Sequence, residues 1–392
     1  MHGSDNGRCG TSNRRTGMVI KNGLVFQPDG SFAKKDVYIA GERIADTGDA
    51  ADCMDASGCY VIPGLMDVHF HGCVGHDFCD GSQEAIAAMA EYELQNGVTS
   101  ICPATMTLGE DVLMKIAEAA AAYKKAEHTE GAELVGINME GPFISLEKKG
   151  AQNPDFIARA DAEMLRRLQK ASGGLIRLCA LAPEEEGAME FIDACRDEVV
   201  ISVAHTTADY DTAKEAFARG ARQVTHLYNA MPPFSHRAPG VVGAACDSDC
   251  NVELICDGIH VHPSVIRTTF KMFGDDRIIM ISDSMEATGL SDGEYSLGGQ
   301  KVTVRGNLAT LTEGGAIAGS ATNLMNCLRY AVKTAGIPLA SAVKCVTQNP
   351  ARAIGLSEEY GSIESGKYAS LVILDKELQI KAILKKGVKQ NY

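Results

Sequence analysis

The chain has 392 residues, 45% hydrophobic and 22% charged, with 37 basic against 51 acidic side chains and a formal net charge of −14. That length and composition suit a soluble globular protein with one large domain, alone or with a small companion. The acidic balance argues against nucleic acid as a partner, and no apolar stretch could span a bilayer or form a leader, so no membrane is expected.

Residues Met1 to Gly17 (MHGSDNGRCGTSNRRTG) are polar and patternless and read as an appended or disordered tail. Over residues 18–62 the stretches Met18 to Phe26, Asp36 to Ile39, Arg43-Ile44 and Tyr60-Val61-Ile62 alternate as short strands between turn signals such as Asn22-Gly23. From 63 to 355 the pattern changes. Eight strand candidates end near Val68, Cys102, Met139, Leu181, Val203, Thr225, Cys256 and Ile281, most of them followed by a helical pattern. Glu84 to Gln95 is one such helix, stopped by Gly97. Tyr210 to Arg219 is another, N-capped by Asp209 and closed by Gly220. Glu294 to Leu311 alternates and reads as a β-hairpin inserted after the eighth strand. Helices over Leu324 to Thr334 and Leu339 to Thr347 follow, the latter closing at Asn349-Pro350. Residues 356–392 return to short strands, Ser370 to Leu374 and Leu378 to Leu384, with a turn at Lys386-Gly387. Neither flank can bury a core alone. The expected fold is therefore α/β: a (β/α)8 TIM barrel with a small β-sandwich domain formed from both chain ends.

The thirteen cysteines include no CxxC pair. Cys246, Cys250 and Cys256 cluster around an apolar run and read as core residues rather than a zinc knot. Free thiols suit a reducing cytosol better than a disulfide framework does, so a cytoplasmic protein is expected.

The functional signal lies at the strand ends. His69, His71, Glu140, His205, His226 and Asp283 each follow a short apolar run, and they span more than two hundred residues. They can meet only if those strands share one sheet, and in a (β/α)8 barrel all the C-terminal strand ends ring one cavity. His69-Phe70-His71 places two imidazoles on one strand face. His205 and His226 lie 21 residues apart, one β-loop-α-loop-β unit, at equivalent positions of neighbouring strands. Imidazole and carboxylate donors with room for water describe a catalytic zinc or a similar divalent site. The bland alternatives are unrelated barrel-mouth histidines and a helix-capping Glu140. Asp283, after a buried run, needs a cation or donors to offset desolvation, and a metal with its water would leave it as general base. His76 and His262 read as structural or outer-shell, His236, beside Arg237, as a candidate for phosphate, and Lys148 and Lys149 as a solvated loop.

The segments PGLMDVHFHG, MEGPFIS, KKGAQNP, VAHTTADY, THLYNAMPPF, HRAPG, DGIHVHP, ISDSMEATG and AIAGSATNL, in this order, resemble the N-acetylglucosamine-6-phosphate deacetylase family of the amidohydrolase superfamily. The resemblance runs from about Met18 to the C-terminus. It implies Glu140, His205 and His226 as metal ligands and Asp283 as catalytic acid/base. It further implies Asn229, Ala230, Arg237 and His260 as sugar-phosphate contacts, and Ala151 with the Ile317-Ala318-Gly319 loop as backbone contacts. Members without the HxH work with one metal, so His69 and His71 favour two here. One-metal members tend to carry histidine where this chain has Gln152, and the group that polarises the acetyl carbonyl is then Gln152 or the second metal.

The expected function is metal-dependent hydrolysis of N-acetyl-D-glucosamine 6-phosphate to D-glucosamine 6-phosphate and acetate. The metal is expected to be Zn2+, with Fe2+, Mn2+ or Co2+ as alternatives, and the enzyme a homodimer whose Arg237 reaches phosphate, in one version across the subunit interface. Competing readings are a deacetylase of the galactosamine epimer, a deaminase, a cyclic-imide hydrolase and, outside enzymes, a metal-free scaffold barrel.

Overall fold

The eight apolar runs become eight parallel strands in a computed structural model of the chain, which describes residues 17–48, 50–126 and 128–391. They are β1 (Leu65–Asp67), β2 (Val98–Ile101), β3 (Ile137–Glu140), β4 (Ile176–Leu181), β5 (Val200–Val203), β6 (Gln223–Val224), β7 (Asn251–Ile255) and β8 (Ile278–Ile281). β3 to β8 form one sheet in sequence order, and β1 pairs with β2. Backbone hydrogen bonds join the two sets at both seams. The Asp283 N–H donates to the His69 carbonyl and the Thr105 N–H to the Asn138 carbonyl, each at 2.9 Å, so the ring closes. Every strand leads to a helix, from Gln83–Gln95 after β1 to Leu324–Lys333 after β8. Two apolar layers result. Met66, Val68, Cys102, Leu178, Ile255, Ile279 and Ile281 fill the interior, while a larger cluster packs strands against helices.

Both chain ends build the second unit. One sheet takes its strands from the N-terminal flank alone: Arg43–Ala45, Val37–Ala40, Gly17–Lys21 and Ala50–Asp55, in that order. In the other, Tyr60–Pro63 lies between Leu24–Phe26 on one side and Leu371–Leu374 on the other. Ile20, Val25, Val61, Leu371 and Leu384 pack between the sheets. Phe32–Lys34 and Ala50–Asp55 are strands that the sequence did not announce, the first short and the second polar. The tail expected over Met1 to Gly17 lies outside the described residues, except that Gly17 opens a strand.

Local departures have local causes. The apolar stretch from Leu134 to Met139, which the sequence presents as a single run ahead of Glu140, is not one strand. The chain breaks at Val135-Gly136, where a Cβ on Gly136 would stand 2.5 Å from Arg177 Cγ and 2.9 Å from Cys102 Sγ. The insertion after β8 is a three-stranded antiparallel sheet (Gly293–Leu297, Gln300–Arg305, Leu308–Leu311) rather than a hairpin, because a second tight turn at Gly306-Asn307 follows the one at Gly298-Gly299. Asn349 and Pro350 do not end the helical region but sit in a further short helix (Gln348–Ala353). Its Ala351 joins the interior cluster at the floor of the barrel, and Asn349 donates to the Asp275 and Ile278 carbonyls. The twelve described cysteines are all free, Cys250 and Cys256 being buried. Among the described residues no helix is long and apolar enough to cross a membrane.

Candidate active site

The C-terminal ends of the strands carry unusual backbone. His205, His226 and Asp283, which follow β5, β6 and β8, have φ of 43°, 29° and 49°. A left-handed conformation costs a non-glycine residue on the order of 1–3 kcal/mol and persists only where its surroundings impose it. Here they do: His205 C=O accepts from Ser145 N–H, and Asp283 C=O accepts from Ser320 N–H at 2.7 Å. The reversal turns all three side chains into the mouth. Gly319 completes the Asp283 turn at φ +64°, where a Cβ would stand 3.1 Å from the Asp283 carbonyl oxygen.

Six side chains from five strand ends converge. Glu140 is central, with Oε1 3.3 Å from His205 Nε2, 3.1 Å from His226 Nε2 and 3.4 Å from His69 Nε2, and Oε2 3.3 Å from His71 Nε2. Asp283 Oδ1 lies 3.3 Å from His71 Nε2 and 3.7 Å from His69 Nε2. Two donor groups share Glu140: His69 with His71, and His205 with His226. All are buried, and His69 Nε2 has no hydrogen-bond partner. Buried nitrogens crowded around carboxylates fit a divalent cation of the zinc class, and the donors suffice for one ion on each side of Glu140.

Charge follows the same geometry. Burial drags His71 down, but the Asp283 and Glu140 carboxylates outweigh it and push it up to about 10. Burial acts likewise on His69, and Glu140 with Glu253 hold it well above the usual imidazole range. Burial raises the two central carboxyls, yet the imidazoles leave Glu140 well below, and Asp283 below, ordinary values. Without a cation His69 and His71 thus hold the protons that a metal would displace.

The cluster floors a cavity of about 340 Å³, whose lining includes Ala151, Gln152, Asn229, Ala230, His260, Ile317 and Gly319. These expected substrate contacts are therefore assembled in one place, with Ala318 buried between Ile317 and Gly319. His260 Nδ1 bonds Asp257 Oδ2 at 2.7 Å, which leaves Nε2 for a ligand. Arg237 is not part of the lining. It is exposed on the loop between Met231 and Gly240, as is His236. His262 caps the helix Pro263–Phe273, and His76 lies half-buried 4.0 Å from Asp80, so both are structural. Glu140 caps no helix, because a loop follows it.

Lys148, read as part of a solvated loop, is half-buried, lines the cavity and accepts the His205 Nδ1 hydrogen through its carbonyl at 2.9 Å. Several residues were missed. Asp67, fully buried, accepts from His69 N–H and Ser282 Oγ, while burial pushes its carboxyl up to about 7. Glu184 binds Thr206 and Thr207 and braces the turn after His205. Glu253 binds His69. An ionisable residue inside an apolar strand run, as in Val252-Glu253-Leu254-Ile255, was the available signal.

A closed parallel barrel with this donor set at its C-terminal mouth defines a metal-dependent hydrolase. Residues 60–391 match the model of the amidohydrolase family. The N-acetylglucosamine-6-phosphate deacetylase of Bacillus subtilis (strain 168) is 37% identical over 366 residues, 92% of this chain and 91% of that protein. The N-acetylgalactosamine-6-phosphate deacetylase of Escherichia coli O157:H7 is 33% identical, over 83% of this chain and 86% of that one. Among solved structures, an N-acetyl-D-glucosamine-6-phosphate deacetylase mutant from Mycobacterium smegmatis, in complex with N-acetyl-D-glucosamine-6-phosphate, superposes with a TM-score of 0.88 at 31% identity, covering 95% of this chain and 99% of that chain. The chain belongs to the amidohydrolase family and, within it, to the N-acetylglucosamine-6-phosphate deacetylases.

Proposed function

We propose that the protein hydrolyses the acetamide of N-acetyl-D-glucosamine 6-phosphate, releasing acetate and D-glucosamine 6-phosphate in amino-sugar catabolism. The observation that carries this reading is Asp283 Oδ1 standing 3.3 Å from His71 Nε2 at the floor of a cavity lined by the predicted sugar contacts. Glu140, His205 and His226 would hold one divalent cation, and His69 and His71, sharing Glu140, a second. Zn2+ suits the donors best, with Fe2+, Mn2+ or Co2+ as substitutes. Such a cation supplies Lewis acidity, making water acidic near neutral pH and drawing charge from the acetyl carbonyl.

The residues of the chain do the rest. Asp283, kept ionised by its imidazole neighbours, takes the proton from the attacking water and returns it to the departing nitrogen. Gln152 steers Glu140, and His260 meets the sugar. In a chain of net charge −14, an anionic substrate needs local cationic help. Arg237, whose fork suits phosphate oxygens, would supply it from the long loop after β6. The loop leaves the cavity of its own chain, so a homodimer, with the loop reaching the neighbouring subunit, is the assembly this reading favours. Free thiols and a metabolite substrate favour the cytoplasm.

A deaminase or cyclic-imide hydrolase is the weaker reading, since Glu140 stands where the latter usually carries a carboxylated lysine. A metal-free scaffold would not keep every donor converged. The galactosamine epimer remains a second reading because a deacetylase of that sugar is also 33% identical. Acetate release from a panel of N-acetylhexosamine 6-phosphates, with metal content measured on the same samples, tests the proposal. Turnover of the galactosamine substrate alone would shift the specificity, and no acetate from any member would refute the reading.

A further inference from the structure

Glu253 lies in the middle of β7 inside the barrel, fully buried among aliphatic side chains. An isolated carboxylate there would be costly, and this one is surrounded by donors. Its Oε2 is 2.8 Å from His69 Nδ1 and accepts the His226 backbone N–H at 3.2 Å, while its Oε1 accepts from Gln223 Nε2 at 2.6 Å. The Glu253 carbonyl accepts the next amide, Leu227 N–H, at 2.9 Å.

The consequence for His69 is specific. With a carboxylate against Nδ1, that nitrogen keeps its hydrogen, so the neutral ring that a metal requires presents its lone pair at Nε2. This Nε2 is the buried, unpartnered atom facing Glu140 and Asp283. In the same position Glu253 grips the strained backbone of His226, which belongs to the other donor group. One side chain therefore sets the tautomer of a ligand in one half of the cluster and the placement of a ligand in the other.

We propose that Glu253, steadied by Gln223, is the positioning residue that lets the His69–His71 half hold its own divalent cation beside the one bound by His205 and His226. The inference rests on the metal-dependent reading above. Carboxylate partners of metal-bound imidazoles orient the ring and raise its basicity, and their loss weakens affinity by roughly 10–100-fold. Glu253→Gln keeps the shape but offers only one acceptor oxygen to three donors, so the Nδ1–H bond of His69 is no longer assured.

The test is stepwise Co2+ titration of metal-stripped protein, followed by its visible absorption, with elemental analysis after Zn2+ loading. The parent protein should take two equivalents. Glu253→Gln should keep the first and bind the second roughly 10–100-fold more weakly, and Glu253→Asp should recover part of the loss. Gln223→Leu, which removes only the donor to Oε1, should weaken the same equivalent and covers the case in which Glu253→Gln does not fold. In a His69→Ala background, Glu253→Gln should cost the second equivalent nothing further, because it reaches that half of the cluster through the His69 ring. A parent protein that stops at one equivalent overturns the proposal, as does a Glu253→Gln protein with both affinities intact or both equally reduced. The readout is metal occupancy, so a protein that binds two ions and releases no acetate would refute the deacetylase reading and leave this one standing.

Discussion

Gln152 donates its side-chain amide to Glu140 Oε2 at 2.7 Å, and its amide oxygen accepts the Thr107 backbone N–H at 2.6 Å. A backbone N–H can only donate, so the orientation of the amide is fixed and its nitrogen must face the carboxylate. Both polar ends of Gln152 are thus engaged in holding Glu140, the carboxylate shared by the two donor groups. On the reading proposed above, polarisation of the acetyl carbonyl would fall chiefly to the metal, since Gln152 commits its amide oxygen and one of its two N–H bonds to holding Glu140. Gln152→Ala should weaken metal binding by roughly 10–100-fold, as losses of outer-sphere partners do. Competition against a chromophoric chelator reads this directly. Unchanged affinity with reduced kcat would return Gln152 to the role of carbonyl donor.

Asp283→Asn keeps the shape and removes the base. Metal content should stay at the parent level while kcat falls by roughly 10²–10⁴-fold. Elemental analysis and turnover on the same preparation separate the two roles, since metal lost along with activity would make Asp283 chiefly a ligand.

The metal-free protein should show an inverted pH response. The His71 imidazole, raised to about 10 by Asp283 and Glu140 against the pull of burial, compares with about 6.5 in the unfolded chain. A folded value above the unfolded one means that protonation favours folding. The contribution is complete below about pH 6.5 and is lost as the pH climbs towards 10. Chelator-stripped protein should therefore melt at progressively lower temperature across that window. Metal-loaded protein, whose imidazoles must be unprotonated, should not follow it. A metal-free melting temperature that rises with pH over the window would contradict the arrangement.

Arg237→Ala should weaken binding of the phosphorylated sugar by about 1.5–3 kcal/mol, the range for a hydrogen bond to a charged group. Slow hydrolysis of the unphosphorylated sugar should barely change. Sedimentation of the parent protein checks the companion expectation of a dimer. Equal loss on both substrates would place the phosphate site elsewhere.

What was legible in the sequence was whatever a strand end exposes. Apolar runs broken by His69, His205, His226 or Asp283 name both a buried strand and the polar residue that terminates it, so barrel and donor set emerged together. A charged residue inside an apolar run, such as Glu253, can be flagged from sequence, but the partner it meets sideways across the sheet was not legible. Glu253 and Gln223 sit on neighbouring strands 30 residues apart, and only the closed barrel joins Gln223 to Glu253 and Glu253 to His69. Lys148 contributes through its carbonyl, which side-chain chemistry cannot announce. The strand Ala50–Asp55 escaped because its residues (AADCMD) include two aspartates and only one large apolar side chain, Met54, and it forms by parallel pairing to Gly17–Lys21. The second turn of the insertion was present as Gly306-Asn307, yet alternation alone does not count strands.

The pairing of Tyr60–Pro63 with Leu371–Leu374 sets the order in which the polypeptide can mature. As the chain leaves the ribosome, Tyr60–Pro63 emerges some three hundred residues before Leu371–Leu374, the strand that pairs with it. Until then Val61 and Ile62 have only Leu24–Phe26 beside them, and one flank of that strand stays open to water and to other nascent chains. A release that ends translation before Leu371 would leave a barrel bearing a sticky edge. Long-range closure of this kind is slow, so these N-terminal strands are where a chaperone would be expected to bind.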